Sequence, residues 1–271
     1  MHIIVLVKQV PEMEKVKFDT EKGVINRKSA GVEINPFDLN ALETAVKIKE
    51  EIGAKVTALT MGPKRAEDVL REAVSRGADE GILLSDKKFA GSDTVATSTI
   101  LAAAIKKIED YDLVIAGEMT VDGDTAQVGP QTAEFLLVPH VSYVSELCEI
   151  NEDELEIACN VWNATYKKKV SFPALITVTK DINTPRLPSF KDKMRSRKAE
   201  IEEWDYDKLK EELDSDLIGI KGSPTRVKKI VVPKSNIREG KAWRDEQISQ
   251  GLQEIVSMCK EKRIIGGGED G

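Results

Sequence analysis

The sequence predicts an α/β protein built on a doubly wound, mostly parallel sheet. Short apolar runs rich in β-branched residues alternate with helical patterns along the first two thirds of the chain. Because these runs are almost continuously apolar, they are typical of strands buried on both faces. Their alternation with helices predicts crossover connections. The predicted strands are residues 3–7, 56–59, 82–84, 113–116 and 175–178.

The segments between these strands carry helix start signals. The clearest has Asn35 as a predicted N-cap and Pro36 at the first helical position, followed by an apolar stripe that would pack on the sheet. A second helix is predicted from near Pro63, and a third over residues 92–108. Each helix falls between two predicted strands, as a crossover requires.

Two segments depart from the alternation. Residues 15–28 have the pattern of a hairpin with its turn at residues 21–23, and we expect a flap or a partner surface there. Residues 141–172 contain several strand-like pieces around a turn at residues 151–153. This pattern predicts an antiparallel extension on the parallel sheet.

The domain organisation follows from where the alternation ends. Residues 1–180 are predicted to form a nucleotide-binding α/β domain. Residues 181–235 contain four of the ten prolines and no sustained apolar period, which predicts an extended recognition arm and linker. A merely solvated linker is an equal alternative for this segment. Residues 236–271 return to helical character and end in a tail that is expected to fray.

Composition and charge exclude several classes of function. Among the 271 residues there is no apolar stretch near the roughly 20 residues that a membrane span requires, so no membrane insertion is expected. The formal charge of −7 and the aromatic content of 5% argue against a nucleic-acid partner. The three cysteines are widely spaced and odd in number, and the N-terminus lacks a secretory signal. We therefore expect a cytoplasmic location.

Motifs for hydrolysis and group transfer are missing. The sequence has no Walker-type lysine loop, no Gly-x-Ser-x-Gly elbow and no metal-ligand spacing, and its only histidines are His2 and His140. We therefore predict no catalytic side chain and no metal site.

The loop over residues 117–130 carries the strongest functional signal. It follows a predicted strand at its carboxyl end, where open α/β sheets bind their ligands. Asp124 or Thr125 is predicted to cap the next helix, with Gln127 reaching back, so that free backbone N–H groups face an anion. The alternative is a capped helix whose glycines serve only the turn.

Backbone from two neighbouring strand ends is expected to complete the pocket. Gly117 and Gly123 lack a Cβ, which lets the backbone approach a phosphate closely. Lys8 follows the first strand and Met61-Gly62 follows the second, at the same edge of the sheet. They would line an adenosine pocket, or else be a surface lysine and an ordinary turn.

Five collinear motifs resemble those of a known family. They are Val5-Leu6-Val7-Lys8-Gln9-Val10-Pro11, Asn35-Pro36-Phe37-Asp38 with Ala41 and Glu43, the Met61-Gly62-Pro63 turn, Arg76-Gly77-Ala78-Asp79, and the loop Asp122 to Pro130. Their order and content, from residue 1 to about residue 200, resemble the β subunit of electron-transfer flavoproteins. The resemblance implies a Rossmann-like, adenine-nucleotide-binding fold and a heterodimer with an α subunit that carries one FAD.

The resemblance also indicates which residues bind the cofactor. The residues expected to bind it are Leu6, Val7, Lys8, Asn35, Asp38, Met61, Gly62, Gly117, Glu118, Met119, Thr120, Val121, Asp122, Gly123, Asp124, Thr125, Ala126, Gln127 and Val128. Glu118 is expected to contact nicotinamide or ribose, with a plain surface carboxylate as the alternative.

The nucleotide itself is either FAD or AMP. In the family, the β subunit holds AMP in simple electron carriers and a second FAD in electron-bifurcating members. The AMP-type loop typically has consecutive acidic residues followed by Cys-Asn-Gln-Thr-Gly, whereas the loop here is similar to the bifurcating group. Gly123 also leaves room where a carboxylate would repel a second phosphate, so we expect FAD.

The resemblance implies a redox role within a complex rather than an enzyme that acts alone. NADH would deliver a hydride to the flavin, or NAD would take it back, with ferredoxin and a partner dehydrogenase exchanging single electrons. An AMP-binding structural β subunit is the second reading, and an unrelated nucleotide-sensing or nucleotide-hydrolysing α/β domain is the third.

The arm resembles the recognition loop with which the family docks its partner dehydrogenase. Phe190 is at the expected anchor position, Leu187 is its competitor, and Met194 is expected to join the contact. Acyl-CoA, enoyl-CoA and 2-hydroxy-acid dehydrogenases are all compatible partners. By the same resemblance, the C-terminal helix and tail, residues 236–271, would pack on the α subunit.

Overall fold

The computed structural model describes residues 1–12, 17–19, 24–26, 31–228, 240–262 and 264–265. The chain separates into two units, Met1–Ile230 and Val231–Gly271. Within the described residues, none of the helices combines the length and the apolar character needed to span a bilayer.

The first unit contains a large mixed sheet with helices between its strands. Its elements in chain order are β1 His2–Leu6, β2 Gln9–Pro11, β3 Lys17–Asp19, β4 Val24–Asn26, β5 Val32–Ile34, α1 Pro36–Ile52, β6 Lys55–Met61, α2 Glu67–Arg76, β7 Glu80–Leu84, α3 Thr94–Ile108, β8 Leu113–Gly117, α4 Val128–Leu136, β9 His140–Ile150, β10 Glu154–Val161, β11 Ala164–Ser171, β12 Ala174–Val178, α5 Phe190–Ser196, β13 Ile201–Trp204, α6 Tyr206–Leu209 and α7 Gly219–Gly222.

The nine-stranded sheet formed by the described residues has the order β11-β10-β9-β12-β8-β1-β6-β7-β13. The seven strands from β9 to β13 in this order pair with one another in parallel. Strands β10 and β11 pair antiparallel at one end. The predicted fold class, a mostly parallel sheet with an antiparallel extension, is confirmed.

The sheet is buried on both faces, which explains why its central strands are continuously apolar. Along β1, Ile3 and Val5 join one core cluster with α1 and α2, whereas Ile4 and Leu6 join a second cluster with α3 and α4. Successive side chains of a strand point to opposite faces, so a doubly wound sheet needs apolar residues at every position of such a strand.

Helices α1 and α3 begin at or near the predicted residues, but the predicted cap of α1 does not form. Helix α1 begins at Pro36, as predicted, but the Asn35 side chain makes no capping hydrogen bond. Helix α3 begins at Thr94 and is capped by Asp93, whose Oδ1 accepts from the backbone N–H groups of Val95 and Ala96 at 3.0 and 3.1 Å. The local pattern fixes where a helix begins, whereas distant partners decide what each side chain binds.

Both predicted hairpins are present. Strands β3 and β4 pair antiparallel, with Phe18 opposite Ile25, although the predicted turn at residues 21–23 lies outside the described residues. Strands β9 and β10 meet at a turn where Asn151 Oδ1 accepts from the N–H groups of Asp153 and Glu154, each at 2.9 Å. The antiparallel extension therefore begins where the sequence placed its turn.

Part of the predicted arm belongs to the core of the first unit. Strand β13 forms the sheet edge beside β7, and Trp204, Leu209, Leu213 and Ile218 are buried in the second core cluster. Sequence reasoning did not identify β13, because its four residues, Ile201-Glu202-Glu203-Trp204, place two carboxylates between the apolar ends.

The second unit contains helix α8, Ile248–Glu261. Trp243 packs against this helix at Gly251, where a Cβ would lie 2.5 Å from Trp243 Cδ2. An ion pair joins Lys241 to Glu254. The helical character predicted for this part of the chain is thus present at residues 248–261, and the predicted fraying tail at residues 266–271 lies outside the described residues.

Candidate functional site

A cavity of about 360 Å³ opens at the carboxyl ends of β1, β6 and β8, beside the N-termini of α3 and α4. Its floor is apolar, with Leu6, Leu59 and Ala116 from the three strands. Its rim is formed by the loop that joins β8 to α4 and by the first turn of α3. This is the edge at which open parallel sheets bind ligands.

The N-terminal turn of α1 braces the cavity from behind. Asp38 Oδ2 accepts from the Lys8 N–H at 2.8 Å, and Asp38 Oδ1 accepts from Asn35 Nδ2 at 2.9 Å. Asn35 also donates to the Met119 carbonyl at 2.9 Å and accepts from the Val121 N–H at 3.2 Å. The Asn35 side chain therefore holds the β8–α4 loop instead of capping its own helix.

Gly117 is required by close packing against the same turn. A Cβ at this position would lie 2.5 Å from Asp38 Oδ1 and 2.7 Å from Phe37 Cβ. The backbone of β8 consequently runs directly over α1 at the cavity wall. The turn-only alternative for Gly117 is incomplete, because the glycine also allows this helix–strand contact.

Asp38 is a buried carboxyl group with an altered affinity for protons. Burial raises the pKa of Asp38 to about 7, although hydrogen bonds from Asn35, from the Lys8 backbone and from the Gly117 backbone, together with the Lys8 charge, act in the opposite direction. Between about pH 4 and pH 7, the Asp38 carboxyl is therefore protonated to a greater extent in the folded protein than in the unfolded chain.

This shift predicts a pH dependence of stability. The folded-state pKa of Asp38 lies above the ordinary value of 3.8, so its contribution is fully present below about pH 4 and is lost as the pH rises to about 7. We expect the free energy of unfolding of the wild type to fall across this window relative to Asp38→Asn. Urea unfolding of both proteins at several pH values measures the difference, and parallel curves would contradict the shift.

Lys8 fixes the loop at the mouth of the cavity. Its Nζ lies 2.6 Å from Asp122 Oδ1 and 3.5 Å from Thr120 Oγ1. Burial opposes ionisation of Asp122, but the hydrogen bond and the charge of Lys8, aided by Thr120, outweigh it and lower the Asp122 pKa. Lys8 is therefore neither a free surface lysine nor a free cation, because its charge is already paired.

The two helix N-termini at the cavity differ in their availability to an anion. Asp93 caps α3 and uses its N–H groups, whereas no side chain of the described residues caps α4. The predicted cap of α4 by Asp124 or Thr125 is wrong. Asp124 and Ala126 both adopt a φ of 53°, so the chain is still turning there and the helix begins only at Val128.

Gln127 has a different role from the predicted capping box. Its side-chain Oε1 accepts from Thr94 Oγ1 at 3.1 Å, which ties the loop to the first turn of α3. In the first turn of α4, Pro130 has no N–H and the Gln131 N–H donates to the Gln127 carbonyl at 3.0 Å, so the N–H groups beside the cavity are those of Val128 and Gly129. The rim thus presents one satisfied helix end and one open helix end.

Glu118 lies at the cavity wall, and its backbone N–H donates to the Val178 carbonyl at 3.0 Å. Burial raises the pKa of the Glu118 carboxyl, and the nearby Asp181 carboxylate raises it further, against the opposing charge of Lys180. The Glu118 carboxyl therefore lies where it can hydrogen-bond a hydroxyl or amide group of a ligand in the cavity.

The structure brings most of the predicted cofactor-binding residues to one cavity. Those that line it are Leu6, Val7, Lys8, Asp38, Met61, Gly117, Glu118, Met119, Thr120, Gly123, Thr125, Ala126, Gln127 and Val128. The others, Asn35, Gly62, Val121, Asp122 and Asp124, lie behind or beside this wall, where Asn35 and Asp122 hold the loop through hydrogen bonds.

Sequence reasoning missed the α3 side of the cavity. The lining residues that it did not assign to the cofactor are Leu59, Ser92, Asp93, Thr94, Thr97, Leu101, Ala116 and Gly129. The signal was available for α3, because its predicted start follows a strand and therefore lies at the same edge as the other strand ends. Gly129 was less evident, since it is needed where α4 meets β12: a Cβ would lie 2.5 Å from Thr177 Cγ2.

The predicted docking residues form an exposed apolar group on a fixed segment. Leu187 is 86% exposed, Phe190 81% and Met194 43%. The segment is held on α1 by Arg186, whose guanidinium donates to Glu43 Oε2 at 2.8 Å and to Glu50 Oε1 at 2.5 Å. Three apolar side chains are thus presented to solvent by a well-anchored backbone.

Comparison with known proteins assigns the chain to a family. Residues 22–209 match the electron transfer flavoprotein domain. The electron transfer flavoprotein subunit beta of Clostridium acetobutylicum is 41% identical over 269 residues, which cover 98% of this chain and 100% of that protein. The chain belongs to the electron transfer flavoprotein family as a β subunit. The family suggested by the five collinear motifs is confirmed.

Further relatives of this electron transfer flavoprotein β subunit are parts of reductase complexes. The caffeyl-CoA reductase-Etf complex subunit CarD of Acetobacterium woodii is 38% identical over 266 residues, covering 98% of this chain and 100% of the relative. The acryloyl-CoA reductase electron transfer subunit gamma of Anaerotignum propionicum is 41% identical over 272 residues, with 98% and 100% coverage.

Proposed function

We propose that this β subunit binds FAD in the cavity at the β1, β6 and β8 strand ends and serves electron bifurcation or confurcation in an α/β heterodimer. The observation that carries the proposal is the open N-terminus of α4 beside Gly123, because it suits a diphosphate. The cavity volume of about 360 Å³ lies within the range of roughly 300–1,000 Å³ that is usual for ligand sites.

The residues present fit an adenine dinucleotide. The uncapped first turn of α4 offers the N–H groups of Val128 and Gly129 to phosphate oxygens. The threonines Thr94, Thr97 and Thr125 line the same cavity. The apolar floor suits an adenine ring. Lys8 would orient the loop through its pair with Asp122 rather than neutralise a phosphate by itself.

With FAD bound, this site would support hydride exchange with NADH or NAD, balanced by single-electron exchange with ferredoxin and, through the α-subunit flavin, with a partner dehydrogenase. The protein supplies position and environment. Glu118, which lies at the cavity wall, would hold a hydrogen bond to nicotinamide or ribose.

The nucleotide content of the α/β complex tests the proposal. Denaturing the complex and separating the released nucleotides by chromatography should give two FAD per heterodimer and no AMP. One FAD with one AMP would reject bifurcation at this site and establish the alternative, an AMP-holding structural β subunit. Family membership already rules out the third reading, a nucleotide-hydrolysing domain unrelated to electron transfer.

The location and the partner are parts of the same proposal. Free thiols at Cys148, Cys159 and Cys259 are consistent with the cytoplasm, where thiols stay reduced. Among acyl-CoA, enoyl-CoA and 2-hydroxy-acid dehydrogenases, we favour the enoyl-CoA type as partner, because two relatives are named for the reduction of unsaturated CoA esters, caffeyl-CoA and acryloyl-CoA.

Phe190→Ala is expected to weaken docking of an enoyl-CoA-type flavin dehydrogenase by roughly 2 kcal/mol or more, because an exposed aromatic anchor loses its pocket contact. Binding of the purified heterodimer to that enzyme measures the effect. Leu187→Ala is the matched comparison, since Leu187 is equally exposed on the same segment. If only Leu187→Ala weakens binding, the anchor is Leu187, and unchanged binding by both variants would reject the segment as a docking site.

A further inference from the structure

The first turn of α3 forms one wall of the nucleotide cavity, and its position depends on Asp93. Ser92, Asp93, Thr94 and Thr97 all line the cavity. Asp93 Oδ1 accepts the N–H groups of Val95 and Ala96, which fixes how the turn begins. Whatever holds Asp93 therefore also sets where the hydroxyl groups of this wall lie.

The second oxygen of Asp93 is bound by a segment that is distant in sequence. Thr225 donates to Asp93 Oδ2 twice, from its backbone N–H at 2.8 Å and from its Oγ1 at 2.7 Å. The Asp93 N–H in turn donates to Ser223 Oγ at 2.9 Å, and the Gly219 N–H donates to Ser92 Oγ at 3.1 Å. The carboxylate thus joins the α3 turn to residues 219–225.

These residues fit closely against the backbone that leads into α3. A Cβ at Gly91 would lie 2.5 Å from Ile220 Cγ1, and a Cβ at Gly219 would overlap the Lys88 carbonyl oxygen. Ser223 is buried, and its Oγ donates to the Gly219 carbonyl at 2.6 Å, which keeps the segment in its turn. Residues 219–225 therefore pack closely against this backbone and make four hydrogen bonds with Ser92 and Asp93.

We infer that residues 219–225 form a latch that positions the first turn of α3, so that Thr225 sets the affinity of the nucleotide cavity without lining it. The inference rests on the proposed nucleotide site. Thr225 is a positioning residue: releasing Asp93 Oδ2 frees the first turn, including the Thr94 hydroxyl that holds Gln127. Both α3 and the β8–α4 loop then lose their fixed relation at the rim.

Equilibrium dialysis tests the latch. The α/β complex is depleted of nucleotide at the β site and dialysed against AMP and, separately, against FAD. Thr225→Val removes the hydroxyl donor but keeps the N–H, and it should weaken the binding of both nucleotides roughly three- to tenfold. Thr225→Ser restores the donor and should bind like the wild type. Thr165→Val is the control, because it removes the hydrogen bond of another exposed threonine, to Asn160 in the antiparallel extension.

A reciprocal measurement separates positioning from general stability. Coupling between two sites acts equally in both directions, so AMP binding to the wild type should slow amide hydrogen exchange at residues 219–225, and this slowing should be lost in Thr225→Val. If the wild type binds the nucleotides and Thr225→Val binds them with the same affinity, the latch alone is overturned. The latch alone is also overturned if AMP binds to the wild type without slowing exchange at residues 219–225. A wild-type complex whose β site takes up neither AMP nor FAD would overturn both the latch and the proposed function.

Discussion

Asp38→Ala is expected to lower the free energy of unfolding by about 3 kcal/mol or more and to prevent nucleotide retention in the β subunit. The truncation leaves the N–H of Lys8, the amide of Asn35 and the N–H of Gly117 without their shared acceptor. These donors come from the end of β1, the start of α1 and the end of β8. Losing Asp38 therefore loosens three walls of one cavity at once.

Urea unfolding and the nucleotide content after purification measure the two consequences separately. Asp68→Ala is the matched control, since Asp68 is also an aspartate in the first turn of a helix but is exposed, and it should cost less than about 1 kcal/mol. Asp38→Asn keeps one acceptor oxygen and should lie between these variants. If Asp38→Ala lowers the free energy of unfolding no more than Asp68→Ala does, the hydrogen bonds accepted by Asp38 do not stabilise the fold.

The sheet was predictable because its signal is local. A strand buried on both faces must be apolar at successive positions, and β1 and β8 are, so their sequences differ from those of any amphipathic element. Strand β13 has no such signal, because it is an edge strand in which Glu202 and Glu203 are both exposed. It is held by pairing with β7, which lies far away in sequence.

The site was predictable in position but not in its internal connections. The rule that ligands bind at strand carboxyl ends led to the cavity, since it depends only on the order of elements. The roles of Asn35 and Gln127 depended on contacts with Met119 and Thr94, which no local pattern encodes. The sequence predicts that both side chains cap helices, whereas both hold a loop.

Gly123→Asp is expected to weaken FAD binding by the β subunit roughly 30- to 150-fold while leaving the fold intact. Among the described atoms, the one that a Cβ at position 123 would meet within 4 Å is Thr120 Oγ1, at 3.3 Å, and Gly123 is not among the glycines with a positive φ. The backbone therefore accepts a side chain here. Position 123 nevertheless lines the cavity beside the open end of α4, so the new carboxylate would face the diphosphate.

The charge is what should decide the result. Two unit charges about 4 Å apart repel by roughly 4 kcal/mol at the effective dielectric constant near a protein surface. Partial screening would leave a repulsion of roughly 2–3 kcal/mol, which corresponds to a loss of affinity of roughly 30- to 150-fold. Gly123→Asn isolates this term, because asparagine has nearly the same volume and no charge, and it should retain most of the FAD. Equal dissociation constants of Gly123→Asp and Gly123→Asn for FAD would show that no diphosphate lies beside position 123.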